Sequence, residues 1–203
     1  MNTKQIITIG RQFGAGGRTS GKELARQLGV DFYDKELIVE AARSSGLSHR
    51  LLDSMDEQHT SSLLYSLVMN AQGKNLFGGN KPLELLAYEA QIASVKNVAE
   101  KGPCVIVGRA ADCILRDLYD IVSIFITAPL AERIRHVAAR DGISEEEAAR
   151  KIARLDKARA SFYNGFSEQR WGEARSYDLC INIGRVGEAA AVEVIRQFLR
   201  AGA

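Results

Sequence analysis

This chain of 203 residues is poor in the residue types that build metal centres, disulfide frameworks and covalent catalytic sites. Its three cysteines, Cys104, Cys113 and Cys180, are odd in number and widely spaced, and no spacing among them resembles a zinc site. Cys104 and Cys180 lie in apolar runs, where a thiol acts as a small hydrophobe, so a reducing compartment is expected. The three histidines, His49, His59 and His136, show no metal-ligand spacing, and no nucleophile-and-base pair stands out. An excess of charge is also missing. Lysine and arginine number 27 against 25 acidic residues, so no broad polyanion-binding face is implied, and neither a nucleic acid polymer nor a membrane surface is called for. No apolar stretch approaches the roughly 20 residues of a membrane helix. The start of the chain runs almost directly into Gln5–Ile9 without the layout of a signal peptide, and a cytoplasmic location is expected. Repeats and low-complexity tracts are absent.

The chain does have a core. Hydrophobic residues make up 46%, enough for one domain. Apolar runs rich in β-branched residues predict strands over Ile6–Ile9, Cys104–Val107, Ile121–Ile126 and Leu179–Ile183, with a shorter one at Phe32-Tyr33. Helical periodicity predicts helices over Thr19–Leu28, Pro82–Ala99, Pro129–Ala139, Ser144–Arg159 and Glu188–Leu199. Pro129 suits a first helical position, and Ser144 with Glu147 reads as a capping box. Strands alternating with helices predict a parallel sheet covered on both faces, which binds ligands at the carboxyl ends of its strands. Residues 46–82 read as an irregular insertion, and residues 160–177 are aromatic and basic without clear periodicity.

The strongest motif, Gly10-Arg-Gln-Phe-Gly14-Ala-Gly16-Gly17-Arg18-Thr19, stands between the first strand and a helix. Glycines let consecutive amides turn toward phosphate oxygens, and the helix start adds the positive end of its dipole. Two registers are open. A literal G-x-x-x-x-G-K match runs from Gly16 to Lys22, but Glu23 follows it and Lys22 falls inside the helix. The register preferred here takes Gly14, Ala15 and Gly16 as the loop. It leaves Gly17 at the lysine position, Arg18 to supply phosphate charge, and Thr19 as the hydroxyl near a metal. Arg109 directly follows a buried strand at the ligand edge, where its planar fork suits phosphate. Asp34 follows the short strand near the same edge, placed to hold water on magnesium, to contact an acceptor, or simply to cap a turn. Arg150, Lys151, Arg154, Lys157 and Arg159 load one helix with cations, which by itself reads as a solvated face.

With these residues in hand, the chain resembles the cytidylate-kinase-like proteins, P-loop kinases of nucleoside monophosphates. The opening motif carries the resemblance together with Phe32-Tyr-Asp34-Lys-Glu-Leu-Ile38 and Val105-Ile-Val-Gly108-Arg109-Ala-Ala-Asp112. Asp156-Lys-Ala-Arg159, Trp171 and Tyr177-Asp178-Leu179 complete it in the same order.

The resemblance implies a P-loop three-layer α/β fold with a parallel five-stranded sheet. Its core would cover residues 1–45, 83–145 and 178–203, with an acceptor-binding insertion at about 46–82 and an arginine-bearing lid at about 146–177. It implies transfer of a phosphoryl group from ATP with Mg²⁺ to a nucleoside monophosphate, CMP or dCMP first. Gly14 to Thr19 would hold the ATP phosphates, with Thr19 near the metal. Asp34, Arg109 and Asp112 would meet the acceptor, and Arg18, Arg154 and Arg159 would act on the transferring group. Asp156 would orient a lid arginine, Arg170 would join from the loop, and Phe162, Tyr163, Phe166 and Trp171 would pack a lid hinge or stack a base. In cytidylate kinases proper an aspartate follows the Gly-Arg pair; here Ala110 stands there, and Asp112 comes two residues later. Another small acceptor, and a nucleotide-binding regulator without turnover, are the alternatives that Ala110 and Gly17 keep open.

Overall fold

The computed structural model describes residues 5–34 and 83–202. The expected insertion at 46–82, and with it His49 and His59, lies outside the described residues. Strand β1, Ile6–Arg11, leads into helix α1, Gly17–Leu28, and the short β2, Asp31–Tyr33. After helix α2, Leu83–Glu100, come β3, Cys104–Val107, the short α3, Ala111–Leu115, and β4, Ile121–Thr127. Helices α4, Leu130–Asp141, and α5, Glu145–Phe166, precede a 3₁₀ turn at Ala174–Ser176 and β5, Leu179–Asn182. Helices α6, Ile183–Val186, and α7, Glu188–Ala201, close the chain.

The five strands pair in parallel in the order β2-β3-β1-β4-β5, as expected for the P-loop kinase fold. β1 is central, pairing Ile7 with Val105 on one side and Val122 on the other. Its alternation divides the core. Ile7 and Ile9 pack with Leu24, Ile124, Ile126 and Ile195 under α1 and α7. Ile6 packs on the other face with Val95, Val98, Ile106 and Leu115, beneath α2 and α3. Burying an isoleucine side chain contributes roughly 1.5–3 kcal/mol, so these two layers hold the sheet in register.

Most boundaries shift by one or two residues from the sequence expectations, and three of the differences have a clear physical reason. β1 runs two residues past Ile9 to Arg11, because Gly10 and Arg11 continue the ladder against Phe125 and Ile126 of β4. α1 starts at Gly17 rather than Thr19, since Gly16 takes the left-handed conformation (φ 75°) that opens the helix. α5 does not stop at Arg159 but continues to Phe166, taking up the first part of the segment read as irregular. Its start is the expected capping box, with Ser144 accepting from the Glu147 amide and Glu147 accepting from the Ser144 amide. Its late turns lack apolar periodicity because Tyr163 packs against Phe125 and Tyr177 rather than against a single partner face.

Candidate functional site

The carboxyl ends of β1, β2 and β3 converge around the turn Gln12–Gly16. In that turn Gly14 (φ 80°) and Gly16 (φ 75°) are left-handed. Helix α1 then begins with no side-chain cap and no acidic residue in its first turn. The amides of Gly14, Gly16, Gly17 and Thr19 have no acceptor among the described residues. Open amides at a helix start, with the positive end of the dipole behind them, form an anion site.

The turn is held from three sides. Gln12 accepts from the Thr127 hydroxyl and the Ala128 amide, which fixes the turn to the end of β4. Asp156 of α5 accepts from the Phe13 amide at 2.7 Å and from Arg133 Nη1 at 2.6 Å. Arg133, buried on α4, also donates to the carbonyls of Ala128 and Phe13. Two guanidinium groups lie over the Phe13 ring, Arg140 at 5.1 Å and Arg159 at 5.3 Å from its centroid. Such cation–π contacts fix the ring and carry charge to the loop. His136, expected at the surface, is exposed, but a ring nitrogen lies 3.2 Å from the Gly14 carbonyl. Glu188 stands on the opposite flank, where a Cβ added to Gly16 would lie 2.5 Å from its carboxylate.

At the end of β3 the backbone is strained. Gly108, Arg109 and Ala110 all have positive φ, at 81°, 62° and 49°. For the two that carry a Cβ this conformation costs roughly 1–2 kcal/mol each, and such strain gathers at functional sites. It is supported by Gln91 of α2, which accepts from Arg109 Nη1 at 2.7 Å and donates to the Arg109 carbonyl at 3.3 Å.

Of the residues singled out from the sequence, the turn Gly14–Thr19, Arg18, Asp34, Arg109 and Arg159 lie around this edge. Arg18 Nε donates to Asp34 Oδ2 at 2.6 Å; the Arg18 side chain is 65% exposed and that of Asp34 only 7%. Arg159 Nη1 donates to the Arg11 carbonyl at 3.1 Å, so α5 reaches the last residue of β1. Burial pulls the Arg159 guanidinium below its ordinary value, with Asp156 opposing.

Other residues are elsewhere. Arg154 is exposed with no hydrogen-bond partner among the described residues, and Lys22 is exposed on α1. Arg150 pairs with Glu146, and Lys151 with Asp141 at 2.9 Å, as a solvated face would. Arg170 is exposed, and its amide donates to Ser176 Oγ. Asp112 is buried, and its Oδ2 accepts from the Tyr163 hydroxyl at 2.6 Å. That hydroxyl also lies 3.0 Å from Gln169 Oε1. Burial raises the Asp112 carboxyl above the usual range, against the hydrogen bond from Tyr163 that lowers it. Trp171 meets Phe125 edge-on at 5.3 Å, packed into the protein beside Tyr177.

One contributor has a different role from the one expected, and two carry no expectation from the sequence. Asp156 was expected to orient a lid arginine, but it grips Arg133 and the loop amide instead. Gln91 carries no local signal, since one glutamine in a helix looks like any other. Arg11 lies inside the glycine motif itself, and a cation in a phosphate-type loop that lacks its lysine is the signal that could have found it. Its side chain passes under Gly17, where an added Cβ would lie 2.7 Å from Arg11 Cβ and 2.9 Å from its Cγ. Its head reaches Gly108, where an added Cβ would lie 2.7 Å from Arg11 Cζ.

A family model described as the cytidylate kinase-like family matches residues 6–185. A cytidylate kinase from Ignicoccus hospitalis is 33% identical over 81 residues, 40% of this chain and 47% of that enzyme, so the alignment spans about half its length. One from Methanopyrus kandleri is 24% identical over 200 residues, covering 94% of this chain and 91% of that enzyme. Among solved structures, an uncharacterized protein from Eubacterium ventriosum matches with TM-score 0.71 and 28% identity over 97% of this chain and 98% of its own. Shikimate kinase from Bacteroides thetaiotaomicron matches with TM-score 0.56 and 17% identity over the same shares, a likeness of fold alone. The match along most of the chain, on a parallel sheet with an open-amide glycine turn, makes this protein a member of the cytidylate kinase-like family with the fold of P-loop kinases.

Proposed function

We propose that the protein transfers the terminal phosphoryl group of ATP to a nucleoside monophosphate, with CMP or dCMP the first candidate. The observation that carries this reading is the glycine turn with the amides of Gly14, Gly16, Gly17 and Thr19 open, flanked by Arg109 just after β3 and Arg159 from α5. In the transfer the bond from the γ-phosphorus to the β,γ-bridging oxygen breaks, and a bond to a phosphate oxygen of the acceptor forms. ADP leaves with the bridging oxygen. Such a reaction asks the protein for alignment and charge rather than a covalent partner. The open amides within the turn Gly14 to Arg18 hold the donor phosphates. Arg109, fixed in its strained turn by Gln91, and Asp34, paired with Arg18, stand on the acceptor side. Arg159 supplies charge over the transferring group; Arg154, on the exposed face of α5, joins only if the helix closes further. Asp112, on the short helix that follows the Arg109 turn, is buried and held by Tyr163, and would act on the acceptor only through that turn.

Magnesium would enter with the nucleotide. The described residues include no cluster of three or more His, Cys, Asp or Glu side chains that would hold an ion alone. The Thr19 hydroxyl and, through water, the Asp34 carboxylate fit an ion already bound by phosphates. The ion would neutralise phosphate charge. No described helix is long and apolar enough to cross a membrane.

A second reading, a nucleotide-binding regulator without turnover, is favoured by Gly17 at the lysine position. The deciding experiment measures phosphoryl transfer from ATP across nucleoside monophosphates and small alcohols, beside the melting temperature with millimolar ATP. Turnover with CMP or dCMP above the other acceptors is expected, with a rise in melting temperature. A rise without transfer to any acceptor replaces this reading by the regulator.

A further inference from the structure

The residue at the lysine position of the loop is Gly17, and the space beside it is filled by Arg11. Arg11 ends β1 on the same face as Ile7 and Ile9, under α1. Its stem lies so close to Gly17 that any side chain there would have to displace it: an added Cβ would be 2.7 Å from Arg11 Cβ. Its guanidinium lies at Gly108, in the crevice between the carboxyl ends of β1 and β3. Parallel sheets of this kind bind ligands in that crevice.

The surroundings are those of an anion site. The Arg11 guanidinium donates no hydrogen bond among the described residues. Arg159 is drawn to the same place through the Arg11 carbonyl at 3.1 Å, and Arg109 directly follows Gly108. Burial first, then the positive charges of Arg159 and Arg109, pull Arg11 well below its ordinary value, and Asp34 and Asp156 offset this only in part. Arginine keeps its proton regardless, so the site carries excess positive charge that a bound anion would relieve.

We infer that Arg11 takes the place of the missing loop lysine and grips the terminal phosphates of the nucleoside triphosphate, its charge entering from the strand instead of from the helix. Gly17 is then the necessary companion of Arg11, because a lysine there and an arginine beneath it exclude each other. Gly108 has the same relation to the other end of the side chain. A Cβ there would overlap Arg11 Nη1, and its φ of 81° disfavours any other residue. This assignment rests on the proposed reading of the loop as a triphosphate site.

The test is a reciprocal exchange. Arg11→Ala, Arg11→Lys, Gly17→Lys and the double variant Arg11→Ala/Gly17→Lys are compared with wild type for the ATP-induced rise in melting temperature and for turnover. Arg11→Ala should melt close to wild type without nucleotide, since the loss of its packed stem and of the attraction to Asp34 and Asp156 is offset by relief of the repulsion from Arg159 and Arg109. It should lose the ATP response and about 10²-fold or more in turnover. Arg11→Lys should retain part of both. Gly17→Lys alone should be impaired, whereas the double variant should recover at least about tenfold over Arg11→Ala, a non-additivity expected only of groups sharing one site. If ATP does not raise the melting temperature of wild type, the triphosphate reading falls and this assignment with it. If wild type responds and Arg11→Ala responds equally, or if the double variant is no better than Arg11→Ala, the kinase reading stands and the assignment is wrong.

Discussion

Asp156 Oδ1 accepts the backbone amide of Phe13 at 2.7 Å, tying the middle of α5 to the glycine turn 143 positions earlier in the chain. Its other oxygen takes the buried Arg133 at 2.6 Å. The turn, α4 and α5 are thereby one unit, and the part of α5 that carries Arg159 is anchored to the loop it would serve.

Asp156→Ala should therefore destabilise the fold. Removing one partner of a buried pair costs about 3–5 kcal/mol. Arg133 keeps the carbonyls of Ala128 and Phe13, so about 3 kcal/mol is expected. Asp156→Asn, which still offers an acceptor to the Phe13 amide, should lose less. Denaturant unfolding measures both, and a midpoint unchanged in Asp156→Ala would show that the contact contributes nothing.

The arginines should separate kinetically. An acceptor-holding residue raises the acceptor KM when removed, and a transition-state contact lowers kcat. Arg109→Ala should raise the KM for the monophosphate. Arg159→Ala should slow turnover about 10²-fold with ATP affinity little changed. Arg154→Ala, from the exposed face, should cost less than about tenfold. Steady-state kinetics with ATP and the best acceptor decides; equal effects of Arg154→Ala and Arg159→Ala would contradict the placement of Arg159 at the loop.

Asp112 and Tyr163 should leave a mark on stability as pH changes. The folded-state value of Asp112 is raised, mainly by burial, so its contribution is fully present below the ordinary aspartate value of about 4 and is lost as pH rises through the raised folded value. Asp112→Asn keeps an acceptor for Tyr163 and has no proton to lose. Relative to wild type it should gain stability between pH 4 and neutrality. Unfolding free energies at several pH values within that range test this, and parallel curves would mean that Asp112 does not titrate differently in the folded state.

Much of the scaffold was legible locally. The apolar runs at Ile6, Cys104, Ile121 and Leu179 became strands because each is short, β-branched and bounded by breakers. The capping box at Ser144 and Glu147 starts α5 where its spacing required. The glycine turn, with Arg109 after β3, was visible because motif and position agree: a turn directly after a buried strand lies at the ligand edge of any parallel sheet.

Which groups meet at that edge was decided by the tertiary structure. Periodicity reports which face of an element is apolar, but not which element covers it. So Asp156 appeared as a partner for lid arginines and proved to be the anchor of Phe13 and Arg133. Tyr163 appeared to belong to an irregular lid, yet it sits on a continuous helix and donates to Asp112, 51 positions away. Gln91 reaches Arg109 because α2 packs over the end of β3, which no spacing announces. Arg11 and Gly17 are close in sequence, but only the left-handed turn between them folds one onto the other. The elements, their parallel arrangement and the phosphate-type turn follow from local signals, because hydrophobic pattern and glycine placement act over a few residues. The charges around that turn were set by strand order and helix packing, because they come from β1, β3 and α5, which only the closed sheet brings within a hydrogen bond of one another.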